Sequence, residues 1–269
     1  MSTGESVPRG RPEAIVRPRA GAEVFRVERF APRPELAEYV DYHWLVHWDV
    51  PGRHRQEVVP QPRVHVAAEH GRLLVHGLSR KPFERVLTGS GLVLGTAFHP
   101  AGFRPLLKRS VGSIAETVLP GHEVLGVDDR AAAERILADG PAEELVRAIE
   151  DYLLETCPEP DETARRVRGL VEEAERRHDL RRAEDLAAVA GTSLRSLQRL
   201  FTEYVGIGPK WVIQRFRILE AAAAATGDRP VDWSALAQEL GFSDQAHLTR
   251  AFRQVVGSPP ETYRRDPAT

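Results

Sequence analysis

Leu186-Ala187-Ala188-Val189-Ala190-Gly191-Thr192-Ser193 is answered about fifty residues later by Leu236-Ala237-Gln238-Glu239-Leu240-Gly241-Phe242-Ser243, with Leu-Ala, an apolar residue before the turn and a glycine at matching places. Past the glycine the copies stay in step with one extra residue in the second. Leu197 answers Leu248, Arg199 Arg250, Phe201 Phe252, Val205 Val256, Gly206 Gly257 and Pro209 Pro260. Self-similarity at a fixed period marks one supersecondary unit used twice. Each copy reads as helix, tight turn, helix.

In the first copy, Leu186, Ala187, Val189 and Ala190 give Ala183 to Ala190 an apolar face, and Gly191 supplies the left-handed residue that ends a helix. Ser193 offers an oxygen to cap the next helix, whose Leu197, Leu200, Phe201 and Tyr204 fall at i, i+3, i+4 and i+7. Its other face presents Leu194, Arg195, Gln198, Arg199 and Thr202, mostly side chains that bond to guanine, adenine or phosphate. In the second copy Asp232 caps a helix bearing Leu236, Ala237 and Leu240. Gly241 turns the chain, and Ser243 caps a helix with Leu248, Ala251, Phe252 and Val255 inward. Gln245, Ala246, His247, Thr249, Arg250 and Arg253 face outward. Pro209 opens a helix to about Ala225, with Trp211, Val212, Phe216 and Leu219 to pack on both copies. Such a strut matters because two recognition helices reach successive major grooves only when held roughly 34 Å apart.

Plainer readings stand beside these. Arg199 and Arg250 would also serve as partners for acids on neighbouring helices, and His247 as a solvated surface histidine. Trp211, Phe216, Phe242, Phe252 and Tyr263 read as core and not as a stacking platform.

The repeat fills less than half of the 269 residues, so a second domain is expected. A net charge of −2 excludes a bulk polycation that coats nucleic acid, and DNA binding must rest on local placement of charge. Of the 37 basic residues only Lys81, Lys108 and Lys210 are lysine. One cysteine excludes an internal disulfide, and Cys157, with Glu155 and Glu159 beside it, reads as inert. No apolar run is long enough to span a membrane, and residues 1–20 lack the apolar core of a signal peptide. A cytoplasmic protein is expected, with a disordered tail at 1–20 whose Arg9, Arg11, Arg17 and Arg19 add weak electrostatic help at most.

From Ala22 to about Val127 the chain turns β-rich. Val24–Val27, Tyr42–Val46, Glu57–Val59, Arg63–Ala67, Arg72–His76 and Gly91–Phe98 alternate with turn residues, which predicts an antiparallel sandwich or barrel. Helices are expected over Asp128–Ala138 and Ala142–Glu155, a boundary at Pro158–Pro160, and a further helix over Asp161–His178. The fold class is therefore α+β: a β-rich domain over 21–158 with trailing helices, then an all-α domain over 159–269 of two helix-turn-helix units joined by a linker helix. His43, His47, His54, His65, His70 and His76 lie in the β-rich part near Glu57 and Glu69, but none has the His-x-His spacing that sets two imidazoles side by side on one strand. Isolated histidines are expected, and no metal. Trp44 and Trp48 could line a ligand cavity, with Arg63 or Arg104 fixing an anionic group; the plainer reading is core for Trp44 and partial exposure for Trp48. There is no phosphate loop, no Gly-x-Ser-x-Gly elbow and no His-Glu-x2-His. No enzyme activity, catalytic residue or cofactor is expected.

The span from about Asp179 to Arg265 resembles the AraC/XylS family of bacterial transcriptional regulators. Leu236-Ala237-x2-Leu240-Gly241-Phe242-Ser243-Asp244-Gln245-x-His247-Leu248-Thr249-Arg250-x-Phe252-Arg253, then Gly257-x-Pro259-Pro260-x2-Tyr263-Arg264, carries the resemblance. By that resemblance the base-facing positions fall on Arg195, Gln198 and Arg199 in the first recognition helix and on Gln245, Ala246, His247, Thr249 and Arg250 in the second. Arg195, Gln198 and Arg199 are expected to supply most of the base discrimination. Pro34-x-Leu36-x3-Val40-x3-Trp44, Val59-Pro60 and Phe98-x-Pro100-x-Gly102-Phe103 are similar to the β-rich domain that precedes the DNA-binding domain in many such regulators. The resemblance implies a cupin-like domain that senses a small molecule, mediates dimerisation, or both. The partners implied are double-stranded promoter DNA, a small-molecule effector, RNA polymerase if the protein activates, and a second copy in a homodimer, with no membrane. Two alternatives stay open: a cupin-type metal sensor or enzyme with a DNA-binding tail, and a regulator controlled by a protein partner without a small ligand.

Overall fold

The structure, a computed structural model, describes residues 25–226 and 230–265; the tail expected at 1–20 lies outside the described residues. Strands β1 (Phe25–Phe30), β2 (Val40–Val58), β3 (His65–Glu69), β4 (Arg72–His76), β5 (Phe83–Phe98) and β6 (Val118–Pro120) form one sheet. Its order is β1-β2-β5-β3-β4-β6, and each neighbouring pair is antiparallel. The run Tyr42–Val46 and the first two residues of the run Glu57–Val59 belong to one strand of 19 residues. Its register with β5 slips between Val50 and Arg53, where Pro51 and Gly52 stand. Proline has no N–H for the ladder, so the pairing steps around it as a bulge and resumes. The strand expected at Arg63–Ala67 runs instead from His65 to Glu69, β5 begins at Phe83, well before Gly91, and β6 was not foreseen.

One face of the sheet is buried by period-two alternation. His43 and Leu45, Leu94 and Thr96, Val66 and Ala68, and Leu73 and Val75 all point into a core closed by α3 (Asp129–Ile136) and α4 (Ala142–Glu155). These follow the short helices α1 (Arg104–Leu107) and α2 (Gly121–Val124), with a 3₁₀ turn at Val111–Ile114 between them. His43 bonds Thr96 Oγ1 at 2.8 Å and Glu150 Oε1 at 3.2 Å, while Arg33 Nε lies 2.8 Å from the other Glu150 oxygen. Burial works to raise Glu150, but the bonds from His43 and the Arg33 N–H hold it below the usual carboxylate range.

The C-terminal helices are α5 (Glu162–Arg176), α6 (Ala183–Val189), α7 (Leu194–Tyr204), α8 (Pro209–Ala225), α9 (Trp233–Glu239), α10 (Gln245–Val256) and α11 (Pro260–Arg265). They share one core, to which Val59, Leu78 and Ala101 of the β-rich part also belong. No helix among the described residues is long and apolar enough to cross a membrane.

The two parts are tied in several places. Arg165 grips Glu38 through Nε at 2.9 Å and Nη2 at 2.8 Å, and the Tyr39 hydroxyl donates to the Pro158 carbonyl at 2.8 Å. Ser110 Oγ donates to the Thr202 carbonyl at 3.2 Å, and Gly112 lies flat against Thr202. Burial first, then the Cys157 and Glu38 charges, pushes the Tyr39 phenol up to about 12, so it remains a neutral donor.

A Cβ on Gly77 would stand 1.8 Å from the Ile114 carbonyl oxygen, within the 3₁₀ turn. Gly77→Ala should therefore destabilise the protein by about 1–3 kcal/mol in urea unfolding, whereas Gly52→Ala, with nothing within 4 Å, should leave the midpoint in place. Acid has its own target at the start of α3. Hydrogen bonds from Arg72, then from His122, hold the Asp129 carboxyl at about 2, against an ordinary 3.8. A carboxylate depressed in the folded state stabilises above its unfolded value and loses that contribution as pH falls through its folded one. Circular dichroism should show stability falling from pH 3.8 towards about 2, with Asp129→Asn flattening that part of the curve.

Candidate nucleic-acid interface

Both turns form as their glycines require, with Gly191 at φ 62° and Gly241 at φ 78°. Both second helices also end on left-handed glycines, Gly206 at φ 93° and Gly257 at φ 87°. Ser193 accepts from the Ser196 N–H at 3.2 Å and Asp232 from those of Ser234 and Ala235 at 3.0 Å, as the residue types predict. The cap of α10 is Asp244, not Ser243: Asp244 Oδ1 accepts from the His247 N–H at 2.7 Å. That shift accounts for the extra residue in the second copy, because Asp244 and not Ser243 then answers Ser193. Ser243 instead bonds sideways, its Oγ 3.2 Å from His247 Nδ1. On α6, unforeseen, Asp185 accepts from the Arg182 N–H at 2.8 Å.

On α7, Leu197 and Phe201 are fully buried, while Arg195, Gln198, Arg199 and Thr202 are exposed and Leu194 is half-buried. On α10, Leu248, Phe252 and Val256 are buried; Gln245, Ala246, Arg250 and Arg253 are exposed and Thr249 is half-buried. Arg195, Arg199 and Arg250 have no ion-pair partner among the described residues. The structure thus groups the candidate readers on one face of each helix. His247 departs from the set: its ring stands edge-on to Phe242 at 5.2 Å and Nδ1 is engaged by Ser243, so it braces the turn. Thr202 departs too, since its Oγ1 donates back to the Gln198 carbonyl at 3.0 Å and the 3₁₀ turn packs against it. Trp211 is half-buried against the core, and Phe216, Phe242, Phe252 and Tyr263 lie within it.

The ligand candidates do not converge. Trp44 and Trp48 share one face of β2, each ring lying over a glycine of β5, Gly95 and Gly91. Trp44 Nε1 donates to His65 Nδ1 at 3.3 Å and Trp48 Nε1 to the Thr88 carbonyl at 3.3 Å. Arg63, however, is paired with Asp41 at 2.5 Å, and Arg104 with Glu203 of α7 at 2.8 Å. On the Trp44 face a polar cluster went unforeseen. His65 lies opposite His76, which bonds Glu69 at 2.8 Å, and Arg85 pairs with the other Glu69 oxygen. The positive φ of His70 and Gly71 makes the two-residue turn that sets this pairing. Burial first, then the Arg63 and His76 charges, pushes His65 down to about 3, so it is a neutral acceptor for Trp44. Burial, with Glu38 and Glu159, pushes the Cys157 thiol up, away from a reactive thiolate.

Residues 186–266 match a family described as a helix-turn-helix domain, and residues 28–120 one described as a domain of unknown function. The transcriptional activator NphR of Rhodococcus sp is 29% identical over 219 residues, covering 81% of this chain and 58% of that protein. A Streptomyces lividans protein described as an AraC-like transcription regulator is 35% identical over 83 residues, 31% of this chain and 27% of its own. The chain thus spans little more than half of the first relative's length and about a quarter of the second's. Among solved structures, the DNA-binding domain of AdpA in complex with a target DNA is 28% identical, covering 39% of this chain and 91% of that one, with a TM-score of 0.31. The C-terminal helices match a helix-turn-helix domain family and are similar to the corresponding part of a protein described as an AraC-like regulator. Replacing Ser193 with Ala should cost about 1 kcal/mol by loss of the cap, read as a lower urea midpoint.

Proposed function

We propose that the chain is a sequence-specific DNA-binding transcriptional regulator of the AraC/XylS type, with its DNA-binding domain beginning near residue 159. The observation that carries this reading is the doubled recognition helix. Each copy buries one face and leaves the other to guanidinium, amide and hydroxyl groups, with Arg195, Arg199 and Arg250 unpaired among the described residues. In the proposed complex α7 and α10 enter successive major grooves. Arg195 and Gln198 read base edges, and Gln245, Thr249, Arg250 and Arg253 hold the second site. Ala246 has no hydrogen-bonding group for a base edge where a longer polar side chain would have one, so the second helix contributes more to affinity than to sequence choice.

The β-rich domain acts as the regulatory part, taking a small molecule, a second copy, or both. What supports this is its grip on α7, since a change in that domain passes to the first recognition helix through Ser110 and Arg104. The face of β2 that carries Trp44 and Trp48 is the proposed effector surface. RNA polymerase is a further partner if the protein activates.

Fluorescence anisotropy on the protein's own upstream promoter duplex, against a scrambled duplex over a salt series, tests the reading. Tighter promoter binding that persists as salt rises is the expected result; equal, salt-erased binding to both would show phosphate attraction alone. Arg195→Ala and Gln198→Ala should each cost about 1–3 kcal/mol on the promoter duplex and much less on the scrambled one.

A further inference from the structure

At 3.6 residues per turn, Ser196, Arg199 and Glu203 of α7 form a stripe at i, i+3 and i+7, on the flank of the outward face. Thr192 of the turn and Arg166 of α5 rise beside that stripe, and with Leu200 these side chains line a cleft of about 450 Å³. Arg166 is fixed there by Nη2, which donates to the Ala190 carbonyl at 2.7 Å. Arg199 has no partner among the described residues, and both guanidinium groups are exposed. In a chain with 39 acids and 37 bases, two arginines facing one cleft need an explanation, because exposed cations are ordinarily interspersed with acids.

The acid that lines the cleft is Glu203, at i+4 from Arg199, a spacing at which the two would pair. They do not. Glu203 is taken by Arg104 of the β-rich part, whose Nε and Nη2 both lie 2.8 Å from Oε1. Arg104 is itself held over the Tyr204 ring, 5.5 Å from its centroid. The docked β-rich part therefore neutralises the carboxylate that would otherwise occupy Arg199.

We propose that this cleft seats a backbone phosphate of the DNA that α7 enters, and that Arg104 keeps the seat open by holding Glu203. The inference rests on the DNA-binding reading above and deepens it. Arg166 and Arg199 supply the charge, and the Thr192 and Ser196 hydroxyls supply further donors. A phosphate contact fixes register and carries no sequence information, so Arg199 belongs with the backbone and base reading on α7 narrows to Arg195 and Gln198.

The test is anisotropy of the full chain on promoter and scrambled duplexes over a salt series. Arg166→Ala and Arg199→Ala should weaken both duplexes by the same factor and each lower the slope of log affinity against log salt by about one. Arg166→Lys, which keeps the charge, should retain the slope. Arg104→Ala should weaken both duplexes as well, and adding Glu203→Gln should restore them. A wild-type slope in Arg166→Ala, or an Arg199→Ala loss confined to the promoter duplex, overturns the seat while leaving specific DNA binding intact. Arg104→Ala that binds as well as wild type overturns the role given to Arg104. Wild-type protein that binds neither duplex overturns the DNA-binding reading and the seat together.

Discussion

Helix α8 is buried on nearly every side, and both helix-turn-helix units are hung from it. Val212, Ile213, Phe216, Ile218, Leu219, Ala221 and Ala225 are all buried, so the helix is covered on several faces rather than along one stripe. Two cations share that interior. Arg217, 2% exposed, donates through Nη2 to the carbonyls of Ala174 and Arg177 at 3.1 and 2.6 Å. It thereby satisfies the last turn of α5, whose carbonyls have no partner within their own helix. Arg215, equally buried, lies 4.5 Å over the Trp211 ring and gives one N–H to the Arg80 carbonyl at 2.9 Å. Its Nε and Nη1 have no hydrogen-bond partner among the described residues, and burial alone draws the group down to about 10. A buried cation without a carboxylate is costly. It is borne because α8 must touch the β-rich part on one side and two recognition units on the other.

That arrangement makes the β-rich part and the C-terminal helices one mechanical object at α7. The 3₁₀ turn lies on Thr202 and Gly206, Arg104 holds Glu203, and Arg165 with Arg168 grips the Glu38 segment. The 3₁₀ turn is seated against the end of β4, where Gly77, having no Cβ, lets its backbone approach the Ile114 carbonyl.

Local signals explain what could be read from the sequence. Gly191, Gly241, Pro209, Ser193, Asp161 and Asp232 act within a few residues of themselves, so the repeat, its turns and the helix starts were legible. Ser243 was misplaced because Ser and Asp both cap, and only the fold chooses between adjacent candidates. The His65–His76 pairing could have been read, since His70-Gly71 between alternating runs makes a two-residue hairpin and so sets its register. The single long β2 was not, because Pro51-Gly52 looks like a chain break and becomes a bulge only when β5 lies alongside. Arg104 against Glu203, 99 positions apart, leaves no local trace. Nor does the burial of Arg215 and Arg217, since arginine is ordinarily a surface residue.

The preference for arginine has a physical corollary. Each charged donor that crosses between the two parts, Arg104, Arg165, Arg168 and Arg215, is a guanidinium, which keeps its proton across the range in which proteins work. Lysine in the place of Arg215 would shed its proton to escape burial and drop its bond to the Arg80 carbonyl. The joint therefore keeps its charges until the pH approaches about 10, where burial has placed Arg215. Below that it answers to competition from dissolved anions, so the ionic environment sets how firmly one part holds the other.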